Sequence, residues 1–114
     1  MTKVLLVEDE VDLLSLVSES LEVHGIAVTE AQTGAKAIEI LSTDASFDFV
    51  VSDIAMQGNV SGIDVAHEVE QSHPGVRIIL VSGHPLSHFP ALPKNTTFLP
   101  KPYRVKQLVE LLRS

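Results

Sequence analysis

Three apolar runs in this chain each end at side chains able to do chemistry, and the stretches between them change to helical spacing. Val4-Leu5-Leu6-Val7 runs into Glu8-Asp9-Glu10, Phe49-Val50-Val51 into Ser52-Asp53, and Ile78-Ile79-Leu80-Val81 into Ser82. Short runs without polar alternation read as strands covered on both faces, the usual state of strands in a parallel sheet. In such a sheet, ligands collect at the C-terminal strand tips. A fourth short run, Phe98-Leu99, leads to Pro100-Lys101-Pro102. If these strands are parallel, Glu8, Asp9, Asp53, Ser82 and Lys101 meet at one edge.

Between the runs, apolar residues recur at helical intervals. From Val11, the residues Leu13, Leu14, Val17 and Leu21 make one face, and Gly25 reads as the stop. Leu16 and Val23 fall well off that face. Ile26 to Ala31 partly alternates and is expected to be a second strand near an edge. Thr33-Gly34 breaks the chain before a short helix, Ala35 to Leu41, with Ala35, Ile38 and Leu41 inward. Ser42 to Ser46 is a polar loop, and Phe47 to Ser52 is the third strand, delivering Asp53. Ile54 to Gly62 is a loop by its Gly58, Asn59, Ser61 and Gly62. Ile63 to His73 is a helix with Ile63, Ala66 and Val69 inward, stopped by Pro74-Gly75. Arg77 to Val81 is the fourth strand. Pro85, Pro90, Pro93 and Pro100 then oppose a regular helix, so Pro85 to Asn95 is expected to be irregular, with at most one turn. Thr96 to Leu99 is the fifth strand, and Arg104 to Arg113 the last helix, with Val105, Leu108, Val109 and Leu112 inward. Strand and helix alternate with no second core, linker or repeat. The fold class is α/β, a doubly wound parallel sheet with helices on both faces, in one domain over 1–114.

Composition narrows the chemistry. A net charge of -7 with only eight Lys and Arg disfavours nucleic acid. The absence of cysteine excludes disulfides, thiol nucleophiles and Cys-based zinc sites. Acids arrive by position 8, unlike a signal peptide, and apolar runs stop at four residues, far short of the ~20 of a membrane helix. The expectation is a cytoplasmic protein with neither nucleic-acid nor membrane partners.

Clustered carboxylates repel, and a bound cation relieves that cost. Oxygen donors with no His or Cys beside them suit Mg²⁺ or Mn²⁺. Lys101 supplies a point charge for a phosphate, and Ser82 a hydroxyl donor. A nucleophilic carboxylate, a metal and a cation aimed at the transferring group meet the needs of phosphoryl transfer. Singly, an acid at a strand end caps a helix more often than it attacks phosphorus; the ordered set points to Asp53 as a phosphate acceptor.

Over nearly its whole length the sequence resembles a receiver domain of the two-component response regulator family. The motifs that carry the resemblance are Val4 to Glu10, Phe47 to Met56, Ile78 to Gly83 and Phe98 to Tyr103. It implies a flavodoxin-like five-stranded sheet of order 2-1-3-4-5. It also implies that Asp53 takes a phosphoryl group from a phosphohistidine on a histidine kinase or histidine phosphotransfer protein. Asp9 and Asp53 would ligate Mg²⁺ through carboxylates and Ala55 through its backbone carbonyl, with Glu8 helping directly or through water. Ser82 would move to the phosphoryl group with the Gly83 amide beside it, Lys101 would pair with it, and Phe98 would swing inward as a switch. The peptide before Pro102 would be cis. Partner kinases would dock on the first helix, with Leu16 as anchor, and on the loop holding Pro102 and Tyr103. With nothing after the last helix, a stand-alone receiver is expected: a phosphoacceptor assisting only its own phosphorylation and dephosphorylation, not an enzyme on other substrates.

The sequence departs from the family pattern at four places. Gln57 stands where proline is usual, in a loop one residue longer before Gly62. Glu8 replaces the commoner Asp. The proline-rich segment replaces the family's fourth helix, leaving it short or absent. Phe98 lacks a hydroxyl, so any switch acts through packing. In family members the positions that Ala55 and His84 hold here flank the path of a hydrolytic water; Ala55 has no side chain to orient it, and His84 reads more readily as a solvated loop residue. His84 and His88 have ligand-like spacing but lack a third ligand. Two other classes compete. One is an Asp-nucleophile metal-dependent phosphatase or phosphotransferase, which would want an acid at Ala55 and a cap domain. The other is an interaction module of the same fold that is never phosphorylated.

Overall fold

A computed structural model describes residues 1–44 and 46–114; Ala45, in the polar loop expected over 42–46, lies outside the described residues. Five strands, β1 (Lys3–Val7), β2 (Ala27–Ala31), β3 (Phe49–Asp53), β4 (Arg77–Ser82) and β5 (Thr96–Pro100), alternate with helices α1 (Val11–Val23), α2 (Gly34–Thr43), α3 (Gly62–Ser72) and α4 (Val105–Leu112). All strand pairs are parallel, in the order β2-β1-β3-β4-β5. This is the expected flavodoxin-like sheet.

Side chains on a strand alternate between faces, and here each face meets a helix pair. Val4, Leu6, Phe49, Val51, Ile79 and Val81 pack with α1 and α4 through residues such as Leu14, Leu21, Leu108 and Leu112. Leu5, Val7, Val50, Ile78 and Leu80 pack with α2 and α3 through Ala37, Leu41, Val65 and Val69. Helices on both faces explain why β1, β3 and β4 carry unbroken apolar runs. The outer strands β2 and β5 are less buried and more mixed in composition.

The helix ends follow local chemistry. Gly25 takes φ 80° after α1, its N–H bonds Glu22 O, and the Ile26 N–H returns to Leu21 O, so the chain reverses into β2. The Thr33 Oγ1 accepts from Lys36 N at 3.0 Å and caps α2. Ser61 and Asp64 form a reciprocal capping box at α3.

Three expectations are corrected. Ala35 is exposed rather than inward: capping by Thr33 starts α2 at Gly34, and its inner face is Gly34, Ala37, Ile38 and Leu41. The third strand begins at Phe49, later than Phe47, and includes Asp53 as its last residue. In α3, Val65 is fully buried while Ile63 is only half-buried, which turns the inner stripe toward Val65, Ala66 and Val69. Between β4 and β5 the chain makes one 3₁₀ turn, Leu86–His88, and is otherwise irregular, as the prolines require.

Candidate functional site

The parallel register brings the tips of β1, β3 and β4 to one edge. Val7 pairs with Ser52, and Asp53 with Val81, so Glu8 and Asp9 follow β1 beside the end of β3. Glu8, Asp9 and Asp53 each offer a carboxylate oxygen within 4.8 Å of the others. Asp53 and Glu8 are buried, and Asp9 is half-buried.

Lys101 enters from the end of β5. Its Nζ lies 2.8 Å from Asp53 Oδ2 and 3.6 Å from Glu8 Oε1. The Lys101 N–H donates to Ser82 O at 2.8 Å, and the Lys101–Pro102 peptide is cis. Ser82 is almost fully buried at the tip of β4, where its Oγ accepts the His84 N–H at 2.9 Å. The edge therefore assembles five of the residues expected there: Glu8, Asp9, Asp53, Ser82 and Lys101. Ala55 is exposed two residues beyond Asp53.

The charges are unevenly held. Burial pushes the Glu8 carboxyl up and the nearby Asp53 charge adds to this; the Glu10 amide, which donates to Glu8 Oε2 at 3.1 Å, and Lys101 offset part of the rise. Asp9 is held below the usual carboxylate range, first by the Gln57 N–H, which donates to Asp9 Oδ2 at 3.0 Å. Burial alone would lower Lys101, but its hydrogen bond to Asp53 and the charges of Asp53 and Glu8 carry it upward. Burial raises the Tyr103 hydroxyl. One cation thus faces three acids, an arrangement short of positive charge.

The remaining expected residues lie around this edge. Phe98 pairs with Leu80 in the sheet and is half-buried in the core shared with α2 and α3, its ring centroid 6.4 Å from that of Phe89. Leu16, Pro102 and Tyr103 line one groove between α1 and the start of α4, and Leu16 is 61% exposed there. The His84 and His88 rings are 6.0 Å apart and exposed. Among the described residues only Glu8, Asp9 and Asp53 form a group suited to a metal, so the histidine pair gains no third ligand.

Two contributors escaped the sequence reading. The Gln57 amide reaches Asp9, although only the absence of proline at 57 was legible. Gly62 passes so close to the tip of β3 that a Cβ there would lie 2.2 Å from Asp53 O; one glycine in a glycine-bearing loop gives no sign of this.

Fold and edge together define a flavodoxin-like α/β domain with an acid cluster and a lysine at its strand tips. The chain belongs to the response regulator receiver domain family, whose profile matches residues 4–113, and is a receiver domain of the two-component systems. It is 36% identical to the sensor kinase CckA of Brucella abortus over 96% of this chain but only 12% of that protein. It is 30% identical to the response regulator receiver protein CpdR of Brucella abortus over 96% of this chain and 92% of that protein. A crystal structure of a response regulator receiver protein from Sinorhizobium medicae superposes with a TM-score of 0.87 at 33% identity, covering 99% of this chain and 95% of that one. No described helix is long and apolar enough to cross a membrane.

Proposed function

We propose that this chain is a phosphoacceptor in a two-component phosphorelay, with residues 1–114 as the receiver unit, working in the cytoplasm. Asp53 takes a phosphoryl group from a phosphohistidine of a histidine kinase or histidine phosphotransfer protein. The observation that carries this reading is the junction of Glu8, Asp9 and Asp53 with the Lys101 ammonium at one strand edge.

An Asp53 carboxylate oxygen attacks phosphorus in line. The P–O bond forms as the P–N bond breaks, and the electron pair of that bond stays on the imidazole nitrogen. Lys101 neutralises charge on the phosphoryl oxygens. The Ser82 hydroxyl turns from the His84 amide to donate to a phosphoryl oxygen, and Phe98 follows by packing. The donor set fits Mg²⁺ or Mn²⁺: oxygen atoms only, in a cluster with excess negative charge. Glu8, Asp9, Asp53 and the Ala55 carbonyl would hold the ion. When bound, it supplies further charge neutralisation to phosphoryl transfer. The chain serves only its own phosphorylation and dephosphorylation; Ala55 offers no acid to turn over outside substrates. The kinase docks on the groove of Leu16, Pro102 and Tyr103.

One phosphotransfer assay tests both parts. Asp53→Asn should abolish the acid-labile, Mg²⁺-dependent label, and a label that survives would end the reading. Leu16→Arg should slow transfer from the cognate kinase at least tenfold, the scale of one interfacial anchor. An unchanged rate would remove the docking assignment alone.

A further inference from the structure

The loop from Ala55 to Ser61 is tied down at both ends. At one end Gly62 N donates to Ile54 O at 3.0 Å, and Ser61 caps α3. Val60 presses on the start of α2, where a Cβ on Gly34 would lie 2.6 Å from Val60 O. Gly58, at φ 98°, makes a turn in the middle that side chains disfavour. What this frame presents to the cluster is a backbone donor. The Gln57 N–H points at Asp9 Oδ2, 3.0 Å away, and joins β1 to the loop after β3 across 48 residues. Asp9 is only half-buried, and the Gln57 amide is the strongest of the groups holding its carboxylate, ahead of Glu8 and its own backbone N–H, so it restricts the rotation of that carboxylate.

We propose that Gln57 is a positioning residue for the metal site: its backbone N–H holds one oxygen of Asp9 so that the other faces Glu8 and Asp53. The inference rests on the metal reading above and deepens it. A hydrogen-bonded carboxylate has already lost the torsional freedom that binding would otherwise freeze, and partners of this kind are worth about 10–100-fold in metal affinity. Proline at position 57 has no N–H and cannot make the bond.

That gives a direct test by Mg²⁺ titration calorimetry at pH 7.5, with a thermal melt on each variant. Gln57→Ala keeps the amide and is the rescue control; it should bind Mg²⁺ within about twofold of the parent chain. Gln57→Pro should bind about tenfold more weakly. If Gln57→Pro is folded and binds Mg²⁺ as tightly as Gln57→Ala, the inference is overturned while the metal reading stands. If the parent chain binds no Mg²⁺, both fail. Should Gln57→Pro not fold, amide exchange decides. Without metal, Asp9→Ala should speed exchange at the Gln57 N–H severalfold, and an unchanged rate overturns the inference.

Discussion

Gly62 stands where the chain turns back past the tip of β3. A Cβ at this position would lie 2.2 Å from Asp53 O, 2.8 Å from Ile54 Cα and 2.9 Å from Asp53 C, all backbone atoms. A side chain cannot be rotated away from a backbone, so the strand end or α3 must shift. Gly62→Ala is expected to destabilise the domain by about 2–3 kcal/mol, the upper part of the range for overpacking. A melt should register this as a fall of about 10 °C or more, and Mg²⁺ affinity should drop with it because Asp53 moves. A variant melting within 2 °C of the parent would show that the strand tip yields freely. Gly62 and Gln57 share one reason for being hard to read in sequence. Each acts through backbone, one by lacking a side chain and one by its N–H, whereas hydrophobic periodicity reports side chains alone. Glu8, Asp9, Asp53 and Lys101 were legible because their side chains terminate apolar strands, and strand ends can be counted.

Elements were legible in proportion to how completely they are covered. Strands β1, β3 and β4 are buried on both faces, so their apolar runs have no polar interruption. In α2, the inner face includes Gly34, which carries no apolar signal; that shifted the expected stripe onto Ala35. The segment between β4 and β5 was legible in the negative, since prolines exclude a helix without specifying what replaces it. The structure supplies the replacement, a strap held at a few points. The His84 N–H bonds Ser82 Oγ at 2.9 Å, the Phe89 ring leans on Phe98, and the Lys94 N–H bonds Glu70 Oε2 at 2.9 Å. Phe89 is the strap's aromatic contact with β5, and it is half-buried. Phe89→Ala should cost about 1–2 kcal/mol, roughly half the value for a fully buried phenylalanine. Its signature is local: hydrogen exchange should quicken over 86–92 and stay unchanged in β1 and β3. If exchange rises evenly through the sheet, Phe89 belongs to the global core and the strap has no independence.

At the scale of the molecule, the charge deficit at the strand tips couples folding to pH and, through the proposed metal site, to a cation. Glu8 titrates above its ordinary value of 4.5 because it is buried beside Asp53. A carboxyl raised by folding contributes stability that is complete below the unfolded value and is lost as pH climbs through the folded one. Asp9 has the opposite sign: lowered by the Gln57 amide, it contributes above its ordinary value of 3.8 and is lost only as pH falls through its depressed folded value. Ionising Glu8 in the metal-free domain therefore carries a cost, and a cation bound beside it would offset that cost. Mg²⁺ in the proposed site, at ten times its dissociation constant, should stabilise the native state by about 1.4 kcal/mol, on the order of 5 °C for a domain of this size. Near pH 4.5 the proton on Glu8 competes with the ion, so the gain should shrink to less than half of that at pH 7.5. Thermal melts with Mg²⁺ and with EDTA at the two pH values measure this difference. An equal gain at both would place the ion away from Glu8, and no gain at pH 7.5 would mean that Lys101 alone balances the three acids.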